Sequence, residues 1–127
     1  MTSNKLVIAI DGPAGAGKST VARRVAAELG VDYLDTGAMY RAVTFGVLAR
    51  EIDPADAHAV VEVCGQLELD VDVDRVMVDG VDATLAIRGP KVTSAVSSVA
   101  ANPRVRSILV ELQRAWVRNR GAGVVEG

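Results

Sequence analysis

The chain has 127 residues, half of them hydrophobic, and a formal net charge of −2 from 14 basic and 16 acidic residues. This length fits one domain with a modest core, and the hydrophobic content excludes an intrinsically disordered chain. The near-neutral balance argues against a broad surface for nucleic acid or anionic membranes, and no apolar run approaches the ~20 residues that span a bilayer. Cys64 is the single cysteine, so an intrachain disulfide is excluded and a reducing, cytoplasmic location is expected.

A buried strand and a helix are the first predicted elements. Residues 6–10 are an unbroken apolar run, typical of a strand buried on both faces of a sheet. A helix is predicted over 20–29, and Gly30 follows it where a C-terminal glycine belongs. Its apolar positions, spaced four apart, are Val21, Val25 and Leu29.

A glycine-rich loop ending in Lys-Ser connects these two elements and fits the pattern G-x-x-x-x-G-K-[ST]. Glycines let the backbone aim successive N–H groups at an anion, and the helix that follows turns its positive end toward the same charge. In this pattern Lys18 supplies a charge for the β/γ-phosphates and Ser19 a hydroxyl ligand for Mg²⁺. The sequence therefore predicts a triphosphate and Mg²⁺ site, with Lys18 assisting catalysis. The residues predicted to bind the triphosphate are Gly12, Pro13, Ala14, Gly15, Ala16, Gly17, Lys18, Ser19 and Thr20.

The next predicted strand, over 32–34, leads into a helix over 38–50 that Asp35 or Thr36 would cap. Ligands of open α/β sheets bind beyond the carboxyl ends of the strands, so residues 35–41 should face the phosphate loop. Arg41 lies in the first turns of this helix, where its planar guanidinium could clamp a phosphate at two points. The alternative is a solvent-exposed arginine of a helix surface.

The spacing of apolar residues changes in the middle of the chain, from a helical period to alternation. A helix is predicted over 54–67, capped by Asp53, with Cys64 as buried filler and His58 on its exposed face. Alternating apolar residues then predict strands over 67–73, 75–78 and 81–85, and Asp79-Gly80 suits a type I′ turn. This antiparallel unit is either a plain surface hairpin or part of a substrate-binding flap.

The last predicted elements are helices over 92–101 and 103–118 and a buried strand from residue 124. An α/β domain of this class normally continues with further strands and helices. We therefore expect the sequence to be part of a longer chain.

Several segments together resemble bacterial cytidylate kinases. They are residues 10–19, 34–41, 87–88, 96–100, 103–106 and 124–127, in that order. The phosphate loop is generic, whereas Asp-Thr-Gly-Ala-Met-Tyr-Arg over 35–41 and Pro-Arg-Val-Arg over 103–106 are much more specific to this family.

The resemblance implies an α/β fold: a P-loop kinase-type parallel sheet flanked by helices, in one domain over 1–127. It identifies the antiparallel β insertion, at about 67–88, as a monophosphate-binding region. It further implies transfer of the γ-phosphoryl group of ATP to CMP or dCMP. We expect a monomer whose partners are these small molecules, and neither nucleic acid nor a membrane.

The resemblance also assigns the acceptor site. Arg41 would bind the CMP phosphate, while Thr36, Ser97 and Arg106 would surround the cytosine. Ser97 could instead be a helix-packing residue, and Arg106 could pair with an acidic residue on its own helix.

Three other functions remain open at the level of sequence. The chain could be a kinase of another small molecule, or a fragment that binds nucleotide without turnover. A GTPase is disfavoured because the sequence contains no Asn-Lys-x-Asp motif for reading guanine. In members of the family, further important arginines and a mobile lid lie in the part of the chain that follows the position of Gly127. The resemblance therefore implies that the 127-residue chain alone is inactive or nearly so.

Overall fold

The computed structural model describes residues 7–10, 18–72, 74–120 and 123–126. Within these ranges the chain forms six strands, five α-helices and one turn of 3-10 helix at Ala86–Arg88. The strands are β1 (Val7–Ile10), β2 (Asp32–Asp35), β3 (Leu69–Val71), β4 (Val76–Val78), β5 (Val81–Asp82) and β6 (Gly123–Glu126). The helices are α1 (Lys18–Leu29), α2 (Thr36–Ala49), α3 (Ala57–Gln66), α4 (Pro90–Ala100) and α5 (Pro103–Arg120).

The main sheet is parallel and has the order β1-β6-β2. Ile10 at the end of β1 and Asp35 at the end of β2 both pair with Glu126 of the central strand. The three strands therefore end level with one another, and the segments that follow β1 and β2 leave from the same edge of the sheet.

Successive strand residues point to opposite faces of this sheet, and helices lie on both faces. The predicted burial of the first strand on both faces was wrong, because Val7, at 47% exposure, and Ala9 leave one face of β1 exposed. Tyr33 of β2 packs toward α1, while its neighbour Leu34 enters the core formed with α2, α3, α4 and α5.

The apolar positions spaced four apart along α1 do not form its buried face: Val21 and Leu29 are 54% and 47% exposed, and Val25 is only partly buried. The buried positions are instead Ala22 and Ala26, whose short side chains let the helix lie close to the sheet.

The larger core surrounds α2, which packs against α3, α4 and α5 as well as the main sheet. Its most deeply buried members come from five elements, and the predicted filler Cys64 lies among them at 4% exposure. They are Leu34, Val43, Val47, Val60, Val99, Val105 and Leu109.

The small antiparallel sheet has the order β3-β4-β5. Its predicted type I′ turn is confirmed, because Asp79 and Gly80 both have positive φ angles, of 50° and 78°. The sheet packs on α2 through a second cluster of apolar side chains, so its position relative to that helix is fixed. The cluster consists of Ala38, Ala42, Val76, Val78, Ala83 and Ile87.

Two predicted boundaries in this region were wrong. Asp53 does not cap α3: its carboxylate accepts from the Ala55 amide two residues on, and Asp56 caps the helix by accepting from Ala59. The third strand ends at Asp82, not at residue 85, because the Asp82 carboxylate accepts from both the amide and the hydroxyl of Thr84 and turns the chain. The predicted insertion over 67–88 thus contains short strands followed by a helical turn.

Other helix ends differ by two residues from their predicted positions. α2 and α4 begin earlier, at Thr36 and Pro90, and α5 continues to Arg120. In the part of the chain that the structure describes, no helix combines the length and apolar character needed to cross a bilayer.

Candidate functional site

The carboxyl ends of β1 and β2 lie level with each other, one on each side of the central strand β6. β1 leads toward the predicted phosphate loop and α1, and β2 leads directly into α2. The predicted flanks of the loop, a strand and a helix, are thus both present. The loop residues Gly12, Pro13, Ala14, Gly15, Ala16 and Gly17 lie outside the described residues.

α1 begins at Lys18, so Lys18, Ser19 and Thr20 form its first turn. The amides of a first helical turn have no partner inside the helix and point along its axis toward any anion bound there. Thr20 is exposed, and the side chains of Lys18 and Ser19 lie outside the described part of the chain.

Asp35 resolves the choice of cap for α2. Its Oδ1 accepts a hydrogen bond of 3.1 Å from the Ala38 amide, which makes Asp35 the N-cap. Thr36 is therefore the first residue of the helix and not its cap, and it is 8% exposed. The cap fixes the start of α2 at the edge where the parallel strands end.

Arg41 is held in place by two hydrogen bonds from the same nitrogen. Its Nη1 donates to the Ile87 carbonyl oxygen and to the Thr93 hydroxyl, both at 3.0 Å. A guanidinium has five N–H donors, so the Nε and Nη2 donors remain, and among the described residues nothing accepts from them. Arg41 can thus present a planar two-point donor to a phosphate while its other nitrogen is fixed.

A small cleft lies between α1, the start of α2 and the antiparallel sheet. Its volume is ≈ 140 Å³, below the roughly 300–1,000 Å³ of pockets that enclose a whole small molecule. Two of its lining residues are neighbours of Arg41: Ala38, one helical turn before it, and Ile87, whose carbonyl accepts from it; Arg41 itself is not part of the lining. The remaining lining residues are Arg23, Asp35, Asp72, Asp74, Arg75, Val76, Thr84 and Arg88.

The charged residues of this cleft connect the two sides of the site. Arg23 of α1 pairs with Asp74 of the segment between β3 and β4, with 3.6 Å between Nη1 and Oδ1. The same guanidinium lies over the Tyr33 ring, 5.2 Å from its centre. Both side chains of the ion pair are substantially exposed, so we expect it to orient the loop more than to stabilise the fold.

The remaining predicted acceptor residues lie on α4 and α5. Ser97 is exposed and four residues beyond Thr93, so it shares the helix face that meets Arg41. Arg106 is exposed in the first turns of α5 and lines a shallow depression of that helix surface. Ser97 thus lies in one row with Thr93, which accepts from Arg41, and no hydrogen bond among the described residues joins the Arg106 side chain to Ser97 or Arg41.

The two helices are joined by a capped connection. Asn102 accepts from the amides of Arg104 and Val105 and donates to the Ala57 carbonyl, which fixes the start of α5 against α3. Arg106 lies in the turn that this cap fixes.

The sequence interpretation missed several residues of the site. Arg88 belongs to a segment that carried the family resemblance, so a signal for it existed. Thr93 meets Arg41 across 52 positions of sequence, and no local pattern reports such a contact. Arg23 and Arg75 had the appearance of ordinary surface arginines.

Three groups away from this cleft have shifted pKa values. Burial raises the pKa of the Cys64 thiol, in agreement with a packing role. A hydrogen bond from the Glu68 amide, aided by Arg50, lowers the pKa of Asp79. Hydrogen bonds from the hydroxyl and amide of Thr84 lower the pKa of Asp82. The predicted surface residue His58 is exposed and faces Glu62 at 3.4 Å.

Comparison with known proteins gives a consistent result. The family model described as cytidylate kinase matches residues 8–127. A cytidylate kinase of Mycobacterium leprae (strain Br4923) is 53% identical over 122 residues, which are 96% of this chain and 55% of that protein. A cytidylate kinase of Corynebacterium efficiens is 50% identical over 131 residues, covering 100% of this chain and 57% of that protein.

A longer relative carries the similarity in part of its length. A protein named bifunctional pantoate ligase/cytidylate kinase, from Synechococcus elongatus, is 50% identical over 130 residues, covering 95% of this chain and 24% of that protein. The chain spans about half the length of the Mycobacterium and Corynebacterium relatives.

Proposed function

This chain belongs to the cytidylate kinase family, and from that premise we propose that it contributes both nucleotide sites of an enzyme that transfers the γ-phosphoryl group of ATP to CMP or dCMP. The observation that carries this proposal is the level ending of the parallel strands, with Ile10 and Asp35 both opposite Glu126. It supports a donor site at the start of α1 and an acceptor site at the start of α2, both at the same end of the sheet and on either side of β6.

On the donor side we propose that residues 12–20 bind the phosphates of ATP, with Lys18 neutralising charge on the β/γ-phosphates. Mg²⁺ in kinase sites is held by one or two protein oxygens together with phosphate oxygens and waters. The Ser19 hydroxyl is such an oxygen, so the donor chemistry of this turn fits the metal. When bound, Mg²⁺ would offset the negative charge of the triphosphate.

On the acceptor side we propose that Arg41 binds the monophosphate and that Thr36, Ser97 and Arg106 surround the cytosine. The anchored Nη1 of Arg41 supports this assignment, because it leaves the Nε and Nη2 edge to meet two phosphate oxygens. Hydroxyls and a guanidinium suit the cytosine edge, which offers a carbonyl oxygen, a ring nitrogen and an amino group.

The antiparallel sheet is proposed as the acceptor-binding part of a single kinase domain over 1–127. Its packing on α2 and the Arg23–Asp74 pair support this, since Asp72, Asp74 and Arg75 of the β3–β4 segment line the cleft at the start of α2. In this arrangement the sheet would close one side of the acceptor site.

The proposed mechanism depends mainly on positioning the two nucleotides and on stabilising the charge of the transition state. Phosphoryl transfer passes through a loose transition state with charge spread over the equatorial oxygens. Lys18 and Arg41 would hold the two phosphates in line, and each guanidinium or ammonium would stabilise charge without taking a proton. No general base is required among the described residues.

A reducing compartment is also proposed, and with it a cytoplasmic location. The supporting observation is Cys64, the single cysteine, whose thiol is buried in the core among apolar side chains. Nothing about the fold therefore depends on an oxidising environment.

An acceptor profile tests the proposed activity. The full-length protein is supplied with Mg-ATP and, separately, with CMP, dCMP, UMP and AMP, and ADP formation is followed. We expect CMP or dCMP to be the best acceptor. Faster ADP formation with UMP or AMP would contradict the cytidylate assignment, and a Lys18→Ala variant controls for ATP hydrolysis by contaminants.

A further inference from the structure

We propose that Thr93 is a positioning residue: its hydroxyl, together with the Ile87 carbonyl, holds the Arg41 guanidinium in the orientation that receives the acceptor phosphate. This inference rests on the proposed function, because it presumes that Arg41 binds that phosphate. Thr93 touches no proposed substrate group itself and would act only through Arg41.

The contact geometry is the first argument. Nη1 of Arg41 carries two N–H groups and makes two hydrogen bonds, each of 3.0 Å, to acceptors on different segments. One bond alone would let the planar guanidinium pivot about it. Two bonds from the same nitrogen fix the plane, and they leave the Nε and Nη2 donors as a pair on the opposite side.

The rigidity of the two anchors is the second argument. Thr93 lies on α4, which the buried side chains Val92 and Val99 fix to the core at 3% and 0% exposure. Ile87 is itself 2% exposed, so its carbonyl is held by a packed side chain. A donor held by rigid elements binds better than a mobile one, since less side-chain entropy is lost when the ligand arrives.

Of the two acceptors that hold Arg41, only the Thr93 hydroxyl can be removed by a substitution. The Ile87 acceptor is a backbone carbonyl that any residue would supply, whereas the second acceptor depends on a hydroxyl at position 93. Valine has the same shape without the oxygen, and serine keeps the oxygen without the methyl group. The chain therefore allows the hydrogen bond to be removed with little change of volume.

The experiment measures the binding of CMP and of cytidine by calorimetry in the full-length protein. Cytidine lacks the phosphate, so the ratio of the two dissociation constants reports the phosphate contact. The variants are Arg41→Ala, Thr93→Val, Thr93→Ser and the double variant Arg41→Ala/Thr93→Val. Ser98→Ala, which removes another exposed hydroxyl from α4, is the matched control. Thermal unfolding checks each fold, and Thr93→Ala replaces Thr93→Val if the latter fails to fold.

We expect Thr93→Val to weaken the binding of CMP roughly 3- to 10-fold and to leave the binding of cytidine unchanged. Thr93→Ser should bind both ligands with nearly the wild-type affinity. In the Arg41→Ala background the Thr93 change should cost nothing more, because the side chain it positions is gone. CMP binding unaffected by Thr93→Val, an equal loss for CMP and cytidine, or a further loss in the double variant would each overturn the positioning role. If Arg41→Ala leaves CMP binding intact, the proposed contact between Arg41 and the acceptor phosphate is also wrong. This result distinguishes failure of the proposed function from failure of the Thr93 role alone.

Discussion

At the scale of single residues, the backbone at the end of α2 carries a cost that the end of α1 avoids. Both helices end in the same motif, in which a residue with a left-handed φ angle and the residue after it donate back to the last turn of the helix. After α1 these bonds run from Gly30 and Val31, and after α2 from Glu51 and Ile52. The left-handed position is Gly30 at φ 66° in the first case and Glu51 at φ 57° in the second.

Glu51→Gly is therefore expected to stabilise the protein. Relief of the left-handed strain, about 1–2 kcal/mol, outweighs the entropy that glycine adds to the unfolded chain, so a net gain of about 0.5–1 kcal/mol is expected. Urea unfolding measures the change.

Gly30→Ala is the matched control with the opposite sign. An added Cβ at Gly30 meets nothing within 4 Å, so its cost, about 1 kcal/mol, would come from φ alone. A loss of stability in Glu51→Gly would show that its side chain contributes more than its backbone costs.

Residue-scale reasoning from sequence succeeded where the chemistry is local. Gly30 as the end of α1 and Asp79-Gly80 as a type I′ turn depend on backbone preferences of the residues themselves. The start of α3 was misplaced because Asp53 and Asp56 are both competent caps, and only the packed structure selects between them.

At the scale of elements, one carboxylate ties the small sheet to the ends of two helices. Asp79 accepts from the Glu68 amide at 2.9 Å and pairs with Arg50 at 3.1 Å. Arg50, the C-cap of α2, also donates to Gln66 at the end of α3. The β4–β5 turn is thus attached to α2 and α3 by polar contacts in addition to its apolar face.

This attachment predicts a dependence of stability on pH. The pKa of Asp79 is lowered in the folded state, so its contribution is present above the unfolded value of about 3.9 and is lost as pH falls through the lower folded pKa. The stability difference between wild type and Asp79→Asn should therefore shrink below about pH 4. Urea unfolding between about pH 3 and 6 tests this. The variant is used freshly prepared, because Asp79→Asn creates an Asn-Gly sequence, which deamidates.

Asp70→Asn, an exposed aspartate on the neighbouring strand, is the control and should keep the wild-type profile. Parallel pH profiles for wild type and Asp79→Asn would contradict the role given to Asp79.

Element types were predictable from the sequence and element lengths were less so. Apolar patterns together with capping signals predicted the six strands and five α-helices that the structure describes, but not the 3-10 turn at Ala86–Arg88. The inward face of α1 could not be read this way, because its contact with the sheet uses Ala22 and Ala26 and leaves the larger Val21 exposed. Close approach to a sheet selects small residues, which a hydrophobicity pattern ranks below valine.

At the scale of the whole molecule, the fold brings together segments that lie far apart in sequence. The parallel register aligns the ends of β1 and β2, and α4 meets α2 through Arg41 and Thr93. The resemblance supplied Thr36, Arg41, Ser97 and Arg106 as candidates, but it could not supply the contact that orients Arg41. The arrangement predicts two separate halves of one site, with Lys18 serving the donor and Arg41 the acceptor.

The affinities of both nucleotides, measured in one variant of each half-site, test this division most directly. Dissociation constants of ATP and of CMP are measured in the full-length protein with Lys18→Ala and with Arg41→Ala. Each lost charge-assisted contact should weaken its own nucleotide about 10- to 100-fold and leave the other within about twofold. Equal weakening of both nucleotides by either variant, or loss of CMP binding through Lys18→Ala alone, would contradict the two-site account.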